Sequence, residues 1–342
     1  MTLSTQMKRK AEKPASKREE TVNLGNFDKV ISTGSTLLDL AISGGRVKGG
    51  GLPGGIFVEI YGQESTGKSA LACEISGNIQ RAGGEVIYDD PEGRIDSQYA
   101  MMYGVHLNEK NYHQSNTIPQ VFAPIRVWEP ENKAINGIII DSLAALSTDL
   151  EMKEGDKMGG RRGKEFSQEL RLTCRIIKQK NYLMVCTNQI RDSFATMGPK
   201  HESPGGRAIR FYSSLRLETG FAFKNSKIIK AKTINDKEYS RVIGINIEVK
   251  VIKSSVWKPY YSAPVSIIFN YGLDNTRCNL QFVKDTTKAG TYVLGGKKLA
   301  VSMDDAIRLI ENDNLEDQLR EEVIDLWTEI ESKFDSNRKP KR

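Results

Sequence analysis

Four short, continuous apolar runs punctuate the first two hundred residues: Ile56-Phe57-Val58-Glu59-Ile60-Tyr61, Glu85-Val86-Ile87-Tyr88, Gly137-Ile138-Ile139-Ile140 and Tyr182-Leu183-Met184-Val185-Cys186-Thr187. None alternates, so each predicts a strand buried on both faces, and helix-like stretches such as Ala70–Ile75 and Asp96–Tyr103 lie between them. Strands of this kind separated by helices argue for an α/β fold with a mostly parallel central sheet covered on both sides. Ahead of them, Ile31-Ser32-Thr33-Gly34-Ser35 followed by Leu37, Leu38, Leu40, Ala41 and Ile42 predicts a short, capped helix. Val22–Gly25 predicts a short strand, and the glycine-rich run 44–55 leads into the first core strand. Later segments, Ser214–Glu218, Ile245–Ile252 and Val265–Asn270, alternate more and predict antiparallel additions to one edge. From about residue 273 the pattern becomes short strands, Tyr292–Leu294 among them, and one strong helix with Leu315, Leu319, Val323, Leu326, Ile330 and Phe334 in a stripe.

Composition narrows the class. The 342 residues suffice for a full core, and their net charge of +7 favours an acidic partner such as nucleic acid, or serves solubility alone. Cys73, Cys174, Cys186 and Cys278 show no metal or disulfide spacing, which points to a reducing, cytoplasmic setting. With only His106, His113 and His201, imidazole metal chemistry is not expected. No apolar stretch approaches a membrane span, and the start lacks a signal-peptide core, so no membrane association is expected. Residues 1 to about 20 carry six basic residues against three acidic ones and almost no large apolar side chain, which predicts a disordered basic arm.

The chemistry begins at Gly62-Gln63-Glu64-Ser65-Thr66-Gly67-Lys68-Ser69, a G-x-x-x-x-G-K-S loop between strand and helix. Its backbone N–H groups have no partners inside the helix and suit nucleotide phosphates. Lys68 would reach the β and γ phosphates, and the Ser69 hydroxyl would coordinate Mg²⁺. Asp141 ends the third apolar run, in position to hold that metal. Glu92, after the second run, could polarise an attacking water or merely cap a helix. Gln189, after the fourth, carries a neutral amide able to sense a γ-phosphate. All fall at carboxyl ends of strands, where parallel sheets bind ligands. Two glycine-rich, charged stretches follow the third and fourth strands. One is 153–164, with Lys157, Met158, Arg161, Arg162 and Lys164, and the other is 191–207, with Arg191, Phe194, Met197, Gly205, Gly206 and Arg207. Flexible backbone with cations and isolated apolar wedges suits nucleic acid, or a solvated lid.

These motifs, together with Gly51-Leu52-Pro53-Gly54-Gly55, Ile139-Ile140-Asp141-Ser142-Leu143-Ala144-Ala145-Leu146, Asn188-Gln189-Ile190-Arg191 and Phe211-Tyr212, resemble the RecA recombinases from about residue 22 to 333. The divergence points to a phage-encoded or otherwise distant relative. The resemblance implies an ATP- and Mg²⁺-dependent helical filament on single-stranded DNA that pairs with homologous double-stranded DNA and exchanges strands, with single-strand-binding and loader proteins as further partners. It implies Glu92 as the catalytic glutamate, Gln189 as the γ-phosphate sensor, and Asp96, Tyr99, Tyr271 and Gly272 as the adenine surroundings. The two glycine-rich stretches become DNA-binding loops, with Lys164 and Arg171 as DNA contacts, and Arg210, Phe211 and Arg216 mark a subunit interface. Lys253 matches one of two lysines that reach a neighbour's ATP, whereas the other position is Ser255, so slow hydrolysis is expected unless a cation such as Lys258 substitutes.

The expected organisation is a basic arm over 1–30, an ATPase core over 31–270, a small α/β DNA-guiding domain over 271–335 and a basic tail over 336–342. Residues 1–20 lack the apolar stripe of the family's N-terminal docking helix, and the chain finishes basic where relatives finish acidic, so readier uptake on DNA is expected. The alternatives are a hexameric helicase of similar core, or a DNA-coating protein that uses ATP as an assembly switch.

Overall fold

The computed structural model of the chain describes residues 27–154, 161–192, 201–202, 206–222, 224–334, 336 and 338. Ten strands form one sheet, in the spatial order Gly272–Leu273, Ser262–Ile268, Lys237–Ser254, Leu215–Phe221, Ile56–Gly62, Leu183–Gln189, Gly137–Ile140, Val86–Asp89 and Tyr112–His113, with Lys227–Ile234 paired only to Lys237–Ser254. From Leu215–Phe221 to Tyr112–His113 every pairing is parallel; the remaining pairings are antiparallel. The protein is therefore α/β with a mostly parallel sheet.

The four expected core strands are present within two residues of their anticipated limits. Their uniform apolarity follows from burial on two sides. Val58, Ile60, Ile139, Leu183 and Val185 face one core, shared with helices Thr36–Ser43 and Lys68–Arg81. Phe57, Ile138, Ile140, Met184 and Cys186 face a second, filled by Phe122, Phe166, Leu170 and Ile177 from helices Ile118–Val127 and Arg161–Lys180.

Two expectations need correction. Leu215–Phe221 is not simply an antiparallel addition: it runs parallel to Ile56–Gly62 and antiparallel only to Lys237–Ser254, at the seam between the two halves of the sheet. Its alternation misleads because both faces are covered, with Arg216 buried as well as Leu215 and Leu217. The C-terminal region contains three helices, Asn275–Thr287, Met303–Asn312 and Glu316–Ser332, where one was expected. The core-facing residues of the second, Met303, Ala306, Ile307 and Ile310, do recur at helical spacing but over only ten residues, whereas the first buries the polar Asn279 beside Cys278, Leu280 and Val283, which blurs its period. Leu319 and Val323 of the expected stripe are buried, whereas Phe334 lies beyond the helix end and is exposed. These helices and the strands Tyr292–Leu294 and Lys297–Ala300 pack into the same apolar cluster as helix Thr36–Ser43. Trp257 stacks on Tyr261 at 4.9 Å and meets Trp327 at 5.7 Å.

The four cysteines are free thiols. Among the described residues no helix is long and apolar enough to cross a membrane. The expected strand Val22–Gly25 and the basic arm lie outside the described residues.

A buried ion pair locks the centre of the sheet. Glu59, on the strand that leads into the phosphate loop, is fully buried and accepts from Arg216 Nε at 2.5 Å and from Asn188 Nδ2 at 3.0 Å. The Arg216 guanidinium also lies 4.2 Å over the Tyr61 ring. Removing one partner of such a pair strands the other charge in a low-dielectric interior, so Arg216→Ala should lose about 3–5 kcal/mol of stability. Urea denaturation should show the loss largely recovered in the double variant Glu59→Gln, Arg216→Met.

A second buried carboxyl, Asp39, accepts from Ser32 Oγ (2.5 Å), Thr33 N (2.7 Å) and Thr33 Oγ1 (2.7 Å), yet burial outweighs these bonds and pushes its pKa up to about 6. The folded state thus binds this proton more tightly than the unfolded chain. The stability it contributes is full below about pH 4 and is lost as the pH rises through about 6, a change of about 3 kcal/mol. Relative to Asp39→Asn, the wild-type protein should lose about that much stability between pH 4 and pH 7 in urea titrations; parallel curves would contradict the assignment.

Candidate functional site

The phosphate loop leaves its buried strand at Gly62 and enters helix Lys68–Arg81 through Gly67, whose φ of 75° is left-handed. Close approach to backbone requires glycine at 62, and the left-handed conformation favours it at 67. A Cβ on Gly62 would lie 2.2 Å from the Thr219 carbonyl oxygen, and one on Gly67 would lie 2.3 Å from Ile267 Cδ1. Thr66 Oγ1 ties the loop down, donating to Gln63 O at 2.7 Å and lying 2.7 Å from Thr219 Oγ1. Lys68 Nζ rests on the loop itself, donating to Gln63 O (2.6 Å) and Gly62 O (3.2 Å). Burial lowers its pKa, against the pull of Asp141, Glu64 and Glu92.

The loop forms the floor of a cleft of about 910 Å³, lined also by Glu92, Arg94, Tyr99, Tyr103, Asp141 and Gln189. The structure therefore brings together four strand-end features separated in sequence: the phosphate loop, Glu92, Asp141 and Gln189. Asp141 is held by the hydroxyls of Thr187, Ser69 and Tyr88, the last at 3.3 Å. Its pKa is raised, chiefly by burial and further by Asp90 and Glu92, while the Thr187 and Ser69 bonds oppose the rise. A carboxylate bonded to the Ser69 hydroxyl, in the negative field of Asp90 and Glu92, fits a divalent cation. Among the described residues no cluster of three or more His, Cys, Asp or Glu forms a metal cage, so Mg²⁺ would rest on Ser69, Asp141 and the phosphates of a nucleotide, as hard cations with few protein ligands do.

Glu92 has two partners that sequence reasoning missed. Ser142 Oγ donates to its Oε1 at 3.1 Å, and the largely exposed Arg94 pairs with its Oε2 at 2.8 Å. A hydroxyl directly after a strand-end aspartate was the available signal for Ser142.

The base-binding expectations divide. Tyr99 lines the cleft, and Tyr103, four residues on and so on the same helical face, lines it too, with ring centroids 5.2 Å apart. Asp96 caps this short helix, accepting from Tyr99 N at 2.7 Å, and does not line the cleft. Tyr271 and Gly272 lie just past the cleft wall, which is formed instead by Ile267, Ile268, Phe269 and Asn270. Gly272 backs Tyr103, whose ring would sit 3.3 Å from a Cβ there.

Lys253 lies outside the cleft, capping the C-terminus of helix Gly206–Tyr212 by donating to Arg210 O (2.8 Å) and Phe211 O (3.0 Å). Burial and the neighbouring Arg216 lower its pKa. Phe211 is 75% exposed and Arg210 half-buried, whereas Arg216 is committed to Glu59 within the protomer. Lys164 and Arg171 are exposed on helix Arg161–Lys180, seven residues apart and so on one face. Arg162 is anchored to Ala144 O at 2.9 Å, and Arg161 is half-buried. Arg191 pairs with Glu202 in a short ladder that joins the two ends of the second glycine-rich stretch, and Gly206 and Arg207 open helix Gly206–Tyr212. Lys157, Met158, Phe194, Met197 and Gly205 lie outside the described residues.

Sheet, loop and strand-end carboxylates together define a phosphate-loop nucleotide-binding α/β protein. The RecA N-terminal domain family model matches residues 12–274. Protein RecA of Delftia acidovorans (strain DSM 14801 / SPH-1) is 33% identical over 305 residues, covering 87% of this chain and 78% of that one. Protein RecA of Thermus thermophilus is 34% identical over 260 residues, covering 74% and 72%. A crystal structure of the RadB recombinase aligns with a TM-score of 0.49 at 18% identity, over 71% of this chain and 98% of that one. The chain belongs to the RecA family, the ATP-using ATPases of DNA recombination and repair.

The hydrogen bond from Thr187 is one of the forces that keep Asp141 ionised. Thr187→Val should therefore raise the Asp141 pKa further, so that Mg²⁺-dependent nucleotide binding fails at a higher pH than in the wild type as acid is added. Thr187→Ser, which keeps the hydroxyl, should retain the wild-type profile. Fluorescent-nucleotide titrations from pH 5 to 8 would read both.

Proposed function

We propose that this chain is an ATP-dependent recombinase that assembles as a helical filament on single-stranded DNA, pairs it with homologous duplex DNA and exchanges strands. The observation that carries this reading is the convergence of the phosphate loop, Asp141, Glu92 and Gln189 on one cleft, with the strand that ends at Gln189 running almost directly into the second glycine-rich stretch. A ligand that moves Gln189 therefore pulls on the segment proposed to grip DNA.

In this reading Lys68 leaves its loop carbonyls for the β and γ phosphates of ATP. Mg²⁺, when bound by Ser69 and Asp141, neutralises charge on the phosphates. Glu92, oriented by Ser142, accepts a hydrogen bond or proton from the attacking water. Gln189 reports the γ-phosphate to the DNA-binding segments. Lys253, outside its own cleft and beside the exposed Phe211, would act on the ATP of a neighbouring protomer. Residues 271–335 would guide duplex DNA.

Two observations also favour a second reading, an ATP-switched DNA coat with little turnover. Ser255, at the position where the resemblance asks for a cation, is exposed and supplies none, and Arg94 occupies Glu92.

ATPase assays on single-stranded DNA test the proposal. Lys68→Ala should abolish turnover. Glu92→Gln should reduce it by about 10²–10⁴-fold, the usual worth of a general base, while keeping ATP-dependent DNA binding. A Glu92→Gln protein at the wild-type rate would refute that role. Strand-exchange assays separate the two readings, and failure to see filaments with ATP and DNA by electron microscopy would sink the assembly.

A further inference from the structure

Strands Lys227–Ile234 and Lys237–Ser254 form a ribbon that leaves the sheet. The longer strand pairs with Ser262–Ile268 only from Gly244 onward and with Leu215–Phe221 only from Ile247 onward, so among the described residues the two ribbon strands pair only with each other over residues 229–242. Those residues are all exposed. At about 3.3 Å per residue the eight-residue strand reaches roughly 26 Å. A two-residue turn closes it, with Asn235 at φ 49° and Asp236 at φ 58°, the left-handed pair that matches the twist of a hairpin.

The ribbon sorts its charge by face. Residues directly opposite share a face, so Lys230 with Arg241, Lys232 with Tyr239 and Ile234 with Lys237 line one side. That side carries four cations and no carboxylate. The other side, Ile229 with Val242, Ala231 with Ser240 and Thr233 with Glu238, carries no cation. The basic side is concave, with a groove of about 560 Å³ lined by Lys230, Lys232, Ile234, Tyr239, Arg241 and Ile243. Lys230 directly opposite Arg241 is a like-charge pair, which costs stability in the free protein. A polyanion laid along this face would relieve that repulsion.

We propose that the basic face of this ribbon is a contact surface for duplex DNA, separate from the two glycine-rich segments. The proposal rests on the DNA-binding reading above and adds a site to it. A two-stranded ribbon is of a size that the major groove, about 12 Å wide, admits. Cations on both of its strands meet phosphates, and Tyr239 and Ile234 between them meet the groove's apolar surface. Lys230 and Lys232, two residues apart, stand about 7 Å from one another along the strand and so neutralise separate phosphates of one backbone.

The test compares wild type with the triple variant Lys230→Ala, Lys232→Ala, Arg241→Ala, and with the charge-keeping variant Lys230→Arg, Lys232→Arg, Arg241→Lys. Each full-length protein is titrated, with a non-hydrolysable ATP analogue and Mg²⁺, against a fluorescein-labelled 30-base-pair duplex and the corresponding single strand at several salt concentrations. Thermal midpoints verify folding. The triple variant should bind duplex about tenfold or more weakly, with the slope of log affinity against log salt reduced by about 2–3, as expected for three lost phosphate contacts. Its single-strand affinity should stay within about twofold, and the charge-keeping variant should bind duplex like wild type. Duplex affinity and slope unchanged in the triple variant would overturn the proposal. Equal loss on both oligonucleotides would overturn the duplex assignment, and altered assembly size with unaltered duplex binding would make the ribbon a protomer contact instead. Wild-type protein that bound neither oligonucleotide would overturn the DNA-binding reading itself.

Discussion

A carboxylate with no access to water must be paired or neutralised, and Glu59 meets that requirement in a way that organises the sheet. It sits on the strand that delivers the phosphate loop and draws in Arg216 from the strand on one side and Asn188 from the strand on the other. Asn188 directly precedes Gln189, and Arg216 stands opposite Lys253 in the antiparallel register. One buried charge therefore sets the relative positions of the loop that would cradle phosphates, the amide that would sense them and the lysine that would serve a neighbour. A one-residue slip of any of these strands would turn its partner away from Glu59 and leave the carboxylate uncompensated.

The cleft above this network is electrostatically unfinished. Burial raises the pKa of Asp141 and lowers that of Lys68, so each is held in a setting that disfavours its own charge. A metal-bound triphosphate would supply a cation for the carboxylate and an anion for the ammonium. Lys68 meanwhile spends its hydrogen bonds on the Gly62 and Gln63 carbonyls, a local contact that phosphate oxygens can replace at little cost in geometry. The same logic acts on the ribbon, where Lys230 opposite Arg241 leaves repulsion for an external anion to relieve.

Burial also separates the cations by use. Arg216 is consumed inside the protomer and Arg162 is anchored to the carbonyls of the 3-10 helix Leu143–Ala145, whereas Lys164 and Arg171 remain exposed on one helical face. Residue type alone does not distinguish these roles, because an arginine serves equally well as an internal strut or as a phosphate contact.

Much of the fold was legible in the chain because its cues are local. The four apolar runs announce strands covered on both faces, the G-x-x-x-x-G-K-S spacing announces its loop, and the position of Asp141, Glu92 and Gln189 at strand ends announces one cleft. The parallel seam at Leu215–Phe221, the helices Asn275–Thr287 and Met303–Asn312, and the long basic ribbon were not read from the chain, since alternation reads alike in parallel and antiparallel strands, the apolar stripe of Met303–Asn312 is short, and Asn279 interrupts that of Asn275–Thr287. The placement of Phe269 and Asn270 at the cleft wall, and the Ser142 and Arg94 partners of Glu92, also came only from the folded chain. Sequence by itself determined which residues could bind phosphate and where the four core strands run, because those depend on neighbours a few positions away. Tertiary structure alone decided which charges are buried, which face each other and which are left to the outside, because those depend on contacts between residues more than a hundred positions apart, such as Glu59 with Arg216.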